Sequence, residues 1–134
     1  SLMAKEAGCH IEVVTNLIDG WNDSPEDLSA IAHWIANELG PETPWHVTAS
    51  HPAAHLMDIR PTPPATILEA RRIGLESGLR HVYCGNIDTP DGSDTLCPDC
   101  GATLIRRRGF AVLENRLSDS AACPDCGRRI SGRF

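Results

Sequence analysis

"HIEVVTNLIDGWNDSPEDLSAIAHWIANELGPETPWHVTAS", residues 10–50, decides between a helical, an all-β and an alternating fold. His10–Ile18 is β-branched and nearly continuously apolar, the pattern of a strand buried on both faces. "DGWND" turns the chain, and Ser24-Pro25-Glu26-Asp27 then starts a helix, with Ser24 as N-cap, Pro25 at the first helical position and acids in the first turn. Leu28, Ile31, Ile35 and Leu39 follow at helical spacing, and Gly40-Pro41 ends the run. "WHVTAS" (45–50) predicts a second strand. Strand, helix, strand is the unit of a parallel sheet.

The pattern repeats outward. "HPAAHLMDIRP" (51–61) reads as a long loop, and Thr62-Pro63-Pro64 as the cap of a second helix, "PPATILEARRIGLES", closed by Gly78. "LRHVYCG" (79–85) predicts a third strand. Parallel strands joined by right-handed crossovers place ligands at their carboxyl ends, where this chain carries Asn16, Asn22, Asp23, His51 and His55. No phosphate-binding glycine loop, G-x-S-x-G or HExxH motif accompanies them. Two βα units and a final strand form an incomplete sheet, so this stretch reads as part of a larger α/β structure or barrel.

The tail is different chemistry. Cys97-Pro98-Asp99-Cys100-Gly101 recurs as Cys123-Pro124-Asp125-Cys126-Gly127. In each hook proline fixes one torsion and glycine tolerates a positive one, a turn that aims backbone N–H groups at sulfur. "ATLIRRRG" and "FAVLENRL" predict a hairpin turning at Gly109 that brings the hooks together. Four thiolates from Cys97, Cys100, Cys123 and Cys126 would close a tetrahedral site around one metal and leave no position for substrate or water. Zinc is the first choice; iron is the second, since C-P-x-C-G is also the rubredoxin hook. One disulfide within each hook is the redox alternative. The division expected is an α/β part over 4–88 and a four-cysteine metal ribbon over 89–134.

Composition bounds the function. The chain of 134 residues is 41% hydrophobic and 22% charged, ordinary for a folded domain. No apolar run is long enough to span a membrane, and six cysteines without a secretory leader read as cytoplasmic. Residues 1–96 carry five Lys and Arg against 14 Asp and Glu, a formal −9, whereas residues 97–134 carry seven against four, +3. Four thiolates around a divalent ion would take the tail near +1, a weak footprint for nucleic acid. Arg106–Arg108 therefore reads as a solvated hairpin edge that discourages strand aggregation. Cys9 and Cys84 read as buried strand cysteines, with metal ligation the alternative for Cys84, His46 as a packing or hydrogen-bonding residue within its strand, and Trp21, Trp34 and Trp45 as packing residues, with Trp21 near the rim.

Four motifs in order carry a family resemblance: T-N-L-I-D-G-W-N-D (15–23), P-W-H-V-T-A-S-H-P (44–52), P-T-P (61–63) and V-Y-C-G-N (82–86), followed by the two hooks. Together they resemble the C-terminal part of radical S-adenosylmethionine proteins, in the group of pyruvate formate-lyase activating enzyme homologues of the AmmeMemoRadiSam type. The resemblance implies a partial (β/α)6 barrel whose [4Fe–4S] cluster cleaves S-adenosylmethionine to a 5′-deoxyadenosyl radical. It places the cluster on a CxxxCxxC loop that this chain lacks, so the chain corresponds to the back half of the barrel plus the ribbon, inactive alone. By position it assigns His51, Asn16 and Thr15 to the cofactor rim. Asp19 and Ser50 depart from the family's usual Pro and aromatic. The expected partners are the front half of the barrel, further copies of the chain and a parent substrate that could be a protein. A freestanding metal-ribbon module binding protein or nucleic acid is the other class of function.

Overall fold

The computed structural model describes residues 2–52, 60–89 and 92–132. The chain divides into two compact units, Ser1–Asp88 and Thr89–Phe134. The first holds a parallel three-stranded sheet and its helices; the second holds a separate antiparallel sheet.

In the first unit a short helix α1 (Leu2–Glu6) precedes strand β1 (Val13–Leu17), helix α2 (Pro25–Trp34), β2 (Trp45–Ala49), helix α3 (Pro64–Glu76) and β3 (Val82–Gly85). The strands pair in the direct order β1-β2-β3, with Thr15 opposite Val47 and Val47 opposite Cys84. Leu17, Trp45, Val47, Ala49, Val82 and Cys84 form one core with Leu28, Ala32 and Ile35 of the first helical segment and Ile67, Ala70 and Ile73 of α3. Both helices therefore cover the same face. That follows from direct strand order: successive crossovers of one hand land on one side of the sheet.

Among the described residues no helix covers the other face. Val14, Asn16, His46, Thr48, Tyr83 and Gly85 alternate with the core positions, and none of them is buried. The expectation of a first strand buried on both faces is thus corrected: Val14 is 66% exposed.

Local chemistry explains the helix boundaries. Ser24 Oγ accepts from Asp27 N at 3.1 Å, the predicted N-cap. After Trp34 the helix widens into a π turn over Ile35–Leu39, ended by Gly40 at φ 92°. Ile35 and Leu39, at the two ends of this turn, are both buried. In α3, a Cβ on Gly74 would stand 2.9 Å from the Trp45 ring, so glycine permits the close helix–strand approach. The N-cap of α3 is Pro63, not Thr62. Thr62 is buried, and its hydroxyl donates to Leu17 O and accepts from Ser50 N, fastening the exits of β1 and β2 together.

The second unit contains β4 (Thr95–Leu96), β5 (Thr103–Arg108) and β6 (Ala111–Asn115), in the order β4-β5-β6. The predicted hairpin is β5–β6. Its two-residue connection has Gly109 at φ 57° in the first central position, as a type II′ turn requires. The arginine run is on the central strand, not at a solvated edge. Arg107 N donates to Asp94 Oδ1 at 2.7 Å and its guanidinium to Thr95 Oγ1 at 2.7 Å, so the middle arginine holds β4 in place.

Candidate metal centre

The repeated hook becomes a repeated geometry. Cys97 N donates to Ala102 O at 2.8 Å and Gly101 N to Cys97 O at 2.9 Å; Cys123 N donates to Arg128 O at 2.8 Å and Gly127 N to Cys123 O at 2.9 Å. Gly101 and Gly127 have φ of 75° and 77°, the left-handed conformation that closes each turn. The shared Asp of each hook is anchored to an arginine: Asp99 lies 3.7 Å from Arg128 and Asp125 3.0 Å from Arg116. The first of these pairs links one hook to the other.

The four sulfurs of Cys97, Cys100, Cys123 and Cys126 lie within 4.8 Å of one another. Cys97 Sγ is 3.5 Å from Cys126 Sγ, and Cys100 Sγ is 3.7 Å from Cys123 Sγ. Metal–sulfur bonds of about 2.3 Å in a tetrahedron require sulfur–sulfur edges of about 3.8 Å, so the cluster has the dimensions of a single-ion site. A multi-iron cluster spreads four thiolates over two or four irons and needs some of its ligand sulfurs farther apart. All six cysteines are free thiols here. Among the described residues this is the group whose ligand atoms converge as a metal requires. These four cysteines could hold one metal ion.

Electrostatics supports the donor set. Burial pushes the Cys97 thiol up, but N–H groups of Cys100 and Asp99, with the thiols of Cys126 and Cys100, outweigh it and bring it down to about 7. At Cys126 the N–H of Arg128 works downward, yet the neighbouring sulfurs, Cys97 foremost, and desolvation drive the thiol up to about 12. Cys100 is also raised: the Ala102 N–H lowers it, and the Cys97 thiol, desolvation and Cys123 prevail. Without a cation the site supports one thiolate readily and resists the next. A divalent ion removes that repulsion.

The residues assigned to the cofactor rim lie in the other unit. Asn16 is on the face without a described helix, where its Oδ1 accepts from Thr48 Oγ1 at 3.2 Å. Thr15 is on the helix-covered face, and its hydroxyl accepts from the buried Trp45 indole at 2.9 Å. His51, exposed, places Nε2 3.3 Å from Asn86 O, while Asn86 Nδ2 donates to Ala49 O at 3.0 Å. Asn22 closes its own turn, accepting from Ile18 N at 2.8 Å and donating to Asn16 O at 3.1 Å, and Asp23 accepts from Gly20 N at 3.0 Å. Thr48 and Asn86 were missed by sequence reading, and Thr62 was read as a helix cap. The signals for Thr48 and Asn86 were a polar residue in register with Asn16 and an asparagine at φ 60° at a strand exit.

His46 is held in its strand as expected, 2.8 Å from Glu12 Oε2 and stacked on Tyr83 with ring centroids 5.1 Å apart. Cys84 is buried, and desolvation raises its thiol against the opposing charge of Arg71. Cys9 departs from expectation, being exposed and outside any strand. Trp45 packs in the core, but Trp21 and Trp34 are 78% and 44% exposed. His55 lies outside the described residues.

The fold and site thus define a mixed α/β protein with a parallel sheet in one unit and a four-cysteine antiparallel unit in the other. An uncharacterised protein of Methanocaldococcus jannaschii is 40% identical over 129 residues, covering 96% of this chain. The chain spans only 39% of that relative's length. No family model matches the sequence. No solved structure matches it. No helix among the described residues is long and apolar enough to cross a membrane.

Proposed function

We propose that this chain is the C-terminal part of a radical S-adenosylmethionine protein similar to the pyruvate formate-lyase activating enzyme homologues. The observation that carries the reading is the singly wound parallel sheet with one face that no described helix covers. Parallel sheets are ordinarily covered on both faces, and direct strand order with helices outside is what a barrel requires. The face without a described helix would then look into the barrel. At the carboxyl ends of its strands Thr48 donates to Asn16, and His51 lies against Asn86, which donates to Ala49 O, two polar pairs where a ligand-bearing rim would lie.

In this reading the cofactor would supply the 5′-deoxyadenosyl radical once reduced by a cluster bound elsewhere in the longer protein. His51 and Asn16 would contribute rim contacts, and Thr15 would act through Trp45. The ribbon would hold zinc as a structural ion, with iron as second choice, because four protein ligands leave no open coordination position. The outer edges of β1 and β3, which no described strand pairs, and the face without a described helix favour association with the rest of the barrel or with further copies.

The test uses the longer protein, reconstituted with iron and sulfide, reduced and assayed for 5′-deoxyadenosine. Cleavage should occur and should fall about tenfold or more in His51→Ala. This chain alone should give none. No cleavage by the longer protein, or full activity without His51, would remove the basis of the proposal.

A further inference from the structure

β6 is an outer strand whose five residues are all exposed. Val112 is 58% and Leu113 60% exposed, and Phe110 at the hairpin tip is wholly so. Proteins ordinarily blunt such an edge with proline, with charge or with a bulge. Here the strand Ala-Val-Leu-Glu-Asn has no proline and a single charge, Glu114. A register irregularity opposite Arg106/Arg107 is the remaining device. In a two-residue hairpin the closing pair, Arg108 with Ala111, exchanges both backbone bonds. The next residue, Val112, consequently turns its N–H and C=O outward.

Charge says what this edge would accept. Residues 103–116 hold four arginines and one glutamate, a net +3. Arg107 and Arg116 are engaged within the unit, whereas Arg106 and Arg108 are exposed beside β6, with Arg106 3.7 Å from Glu114. Pairing β6 with β6 of a second copy would bring the exposed Arg106 and Arg108 of each hairpin towards those of the other, which like-charge repulsion opposes. An incoming strand with carboxylates beside the arginines and apolar residues against Val112 and Leu113 meets both demands. We propose that the outer edge of β6 is a docking site for an extended acidic–apolar segment of another protein, added as a fourth strand. This surface is independent of the barrel reading.

The experiment uses the metal-loaded full chain and a capped octapeptide alternating glutamate and valine, followed by amide NMR. Saturable shifts confined to residues 109–116 are expected, with binding at least about tenfold tighter than for the lysine–valine peptide. Val112→Pro, which removes the outward N–H while keeping metal content and spectral dispersion, should abolish them. The double variant Arg106→Glu/Arg108→Glu should reverse the peptide preference. Absence of binding at millimolar peptide, or equal binding of the lysine peptide, overturns the proposal. So does dimerisation through β6 seen by light scattering and inter-chain contacts, or tighter binding of a thymidine dodecanucleotide than of the glutamate peptide.

Discussion

The two units are held together by different means. The first buries Trp45, Leu17, Leu28, Ile35, Ile67 and Val47 between one sheet face and two helices, a side-chain core able to order a backbone unaided. The second has Leu104, Ile105 and Ile130 around two buried cysteines, with Ala102 and Leu117 at the margin. Among the described residues so small a core falls well short of the conformational entropy of some forty residues. A metal ion on four thiolates can contribute roughly 10 kcal/mol or more at neutral pH and make up the difference. The first unit should behave as an ordinary folded domain, the second as a metal-nucleated one.

The largest effect should come from breaking that asymmetry at the hooks. Cys97→Ser or Cys123→Ser is expected to lower metal affinity by orders of magnitude and unfold the second unit, leaving the first intact by NMR. Elemental analysis should fall from about one equivalent of metal per chain to well below one. Retained stoichiometry and dispersion in either variant would contradict the four-ligand site.

Acidity should separate the units next. Cys100 and Cys126 lie above the ordinary thiol range when no metal is bound, so both carry protons at neutral pH and release them when a cation binds. Metal binding thus depresses their pKa values, and the stability it supplies is present at high pH and lost as pH falls. With at least two protons displaced, the apparent dissociation constant should rise at least about 100-fold per unit of acidification. Competition titrations between pH 6 and 8 should give this slope; pH-independent affinity would rule out thiolate ligation.

In the first unit the sensitive points are packing contacts. Trp45→Ala should cost about 3–5 kcal/mol by chemical denaturation, since it empties the space between β2 and α3 and orphans the Thr15 hydroxyl. Thr62→Val keeps the shape but removes the hydroxyl's bonds to Ser50 N and Leu17 O, which still bond each other, for a loss of about 0.5–1.5 kcal/mol. The smallest effect belongs to the second unit. Ala121 sits at φ 55°, so Ala121→Gly should stabilise that unit by roughly 0.5–1 kcal/mol. Destabilisation would mean that the methyl group packs.

The same contrast governs what could be read from sequence. The hooks were legible because the chemistry is local: proline, cysteine and glycine at fixed offsets determine the turn, and the second copy repeats it. The Ser24–Asp27 helix start was legible for the same reason. Burial of β1 was misread because its apolar run cannot tell which face the helices cover; strand order decides that. Thr62 was misread because a threonine before two prolines looks like a cap, while its real partners lie 12 and 45 positions away in sequence. The arginine run looked like one exposed feature, but strand β4, too short to notice, withdraws Arg107 from it. Which tryptophan packs was equally hidden, since Trp21, Trp34 and Trp45 differ in long-range surroundings.

Hydrogen exchange measured residue by residue, with metal bound and after chelation, tests the contrast most directly. If the first unit is held by packing and the second by a metal, chelation should remove protection from amides of residues 95–130. Those of β1, β2, β3 and α3 should keep theirs. Loss of protection in both units, or persistence of protected amides at Cys97, Gly101, Cys123 and Gly127 in the metal-free chain, would contradict it.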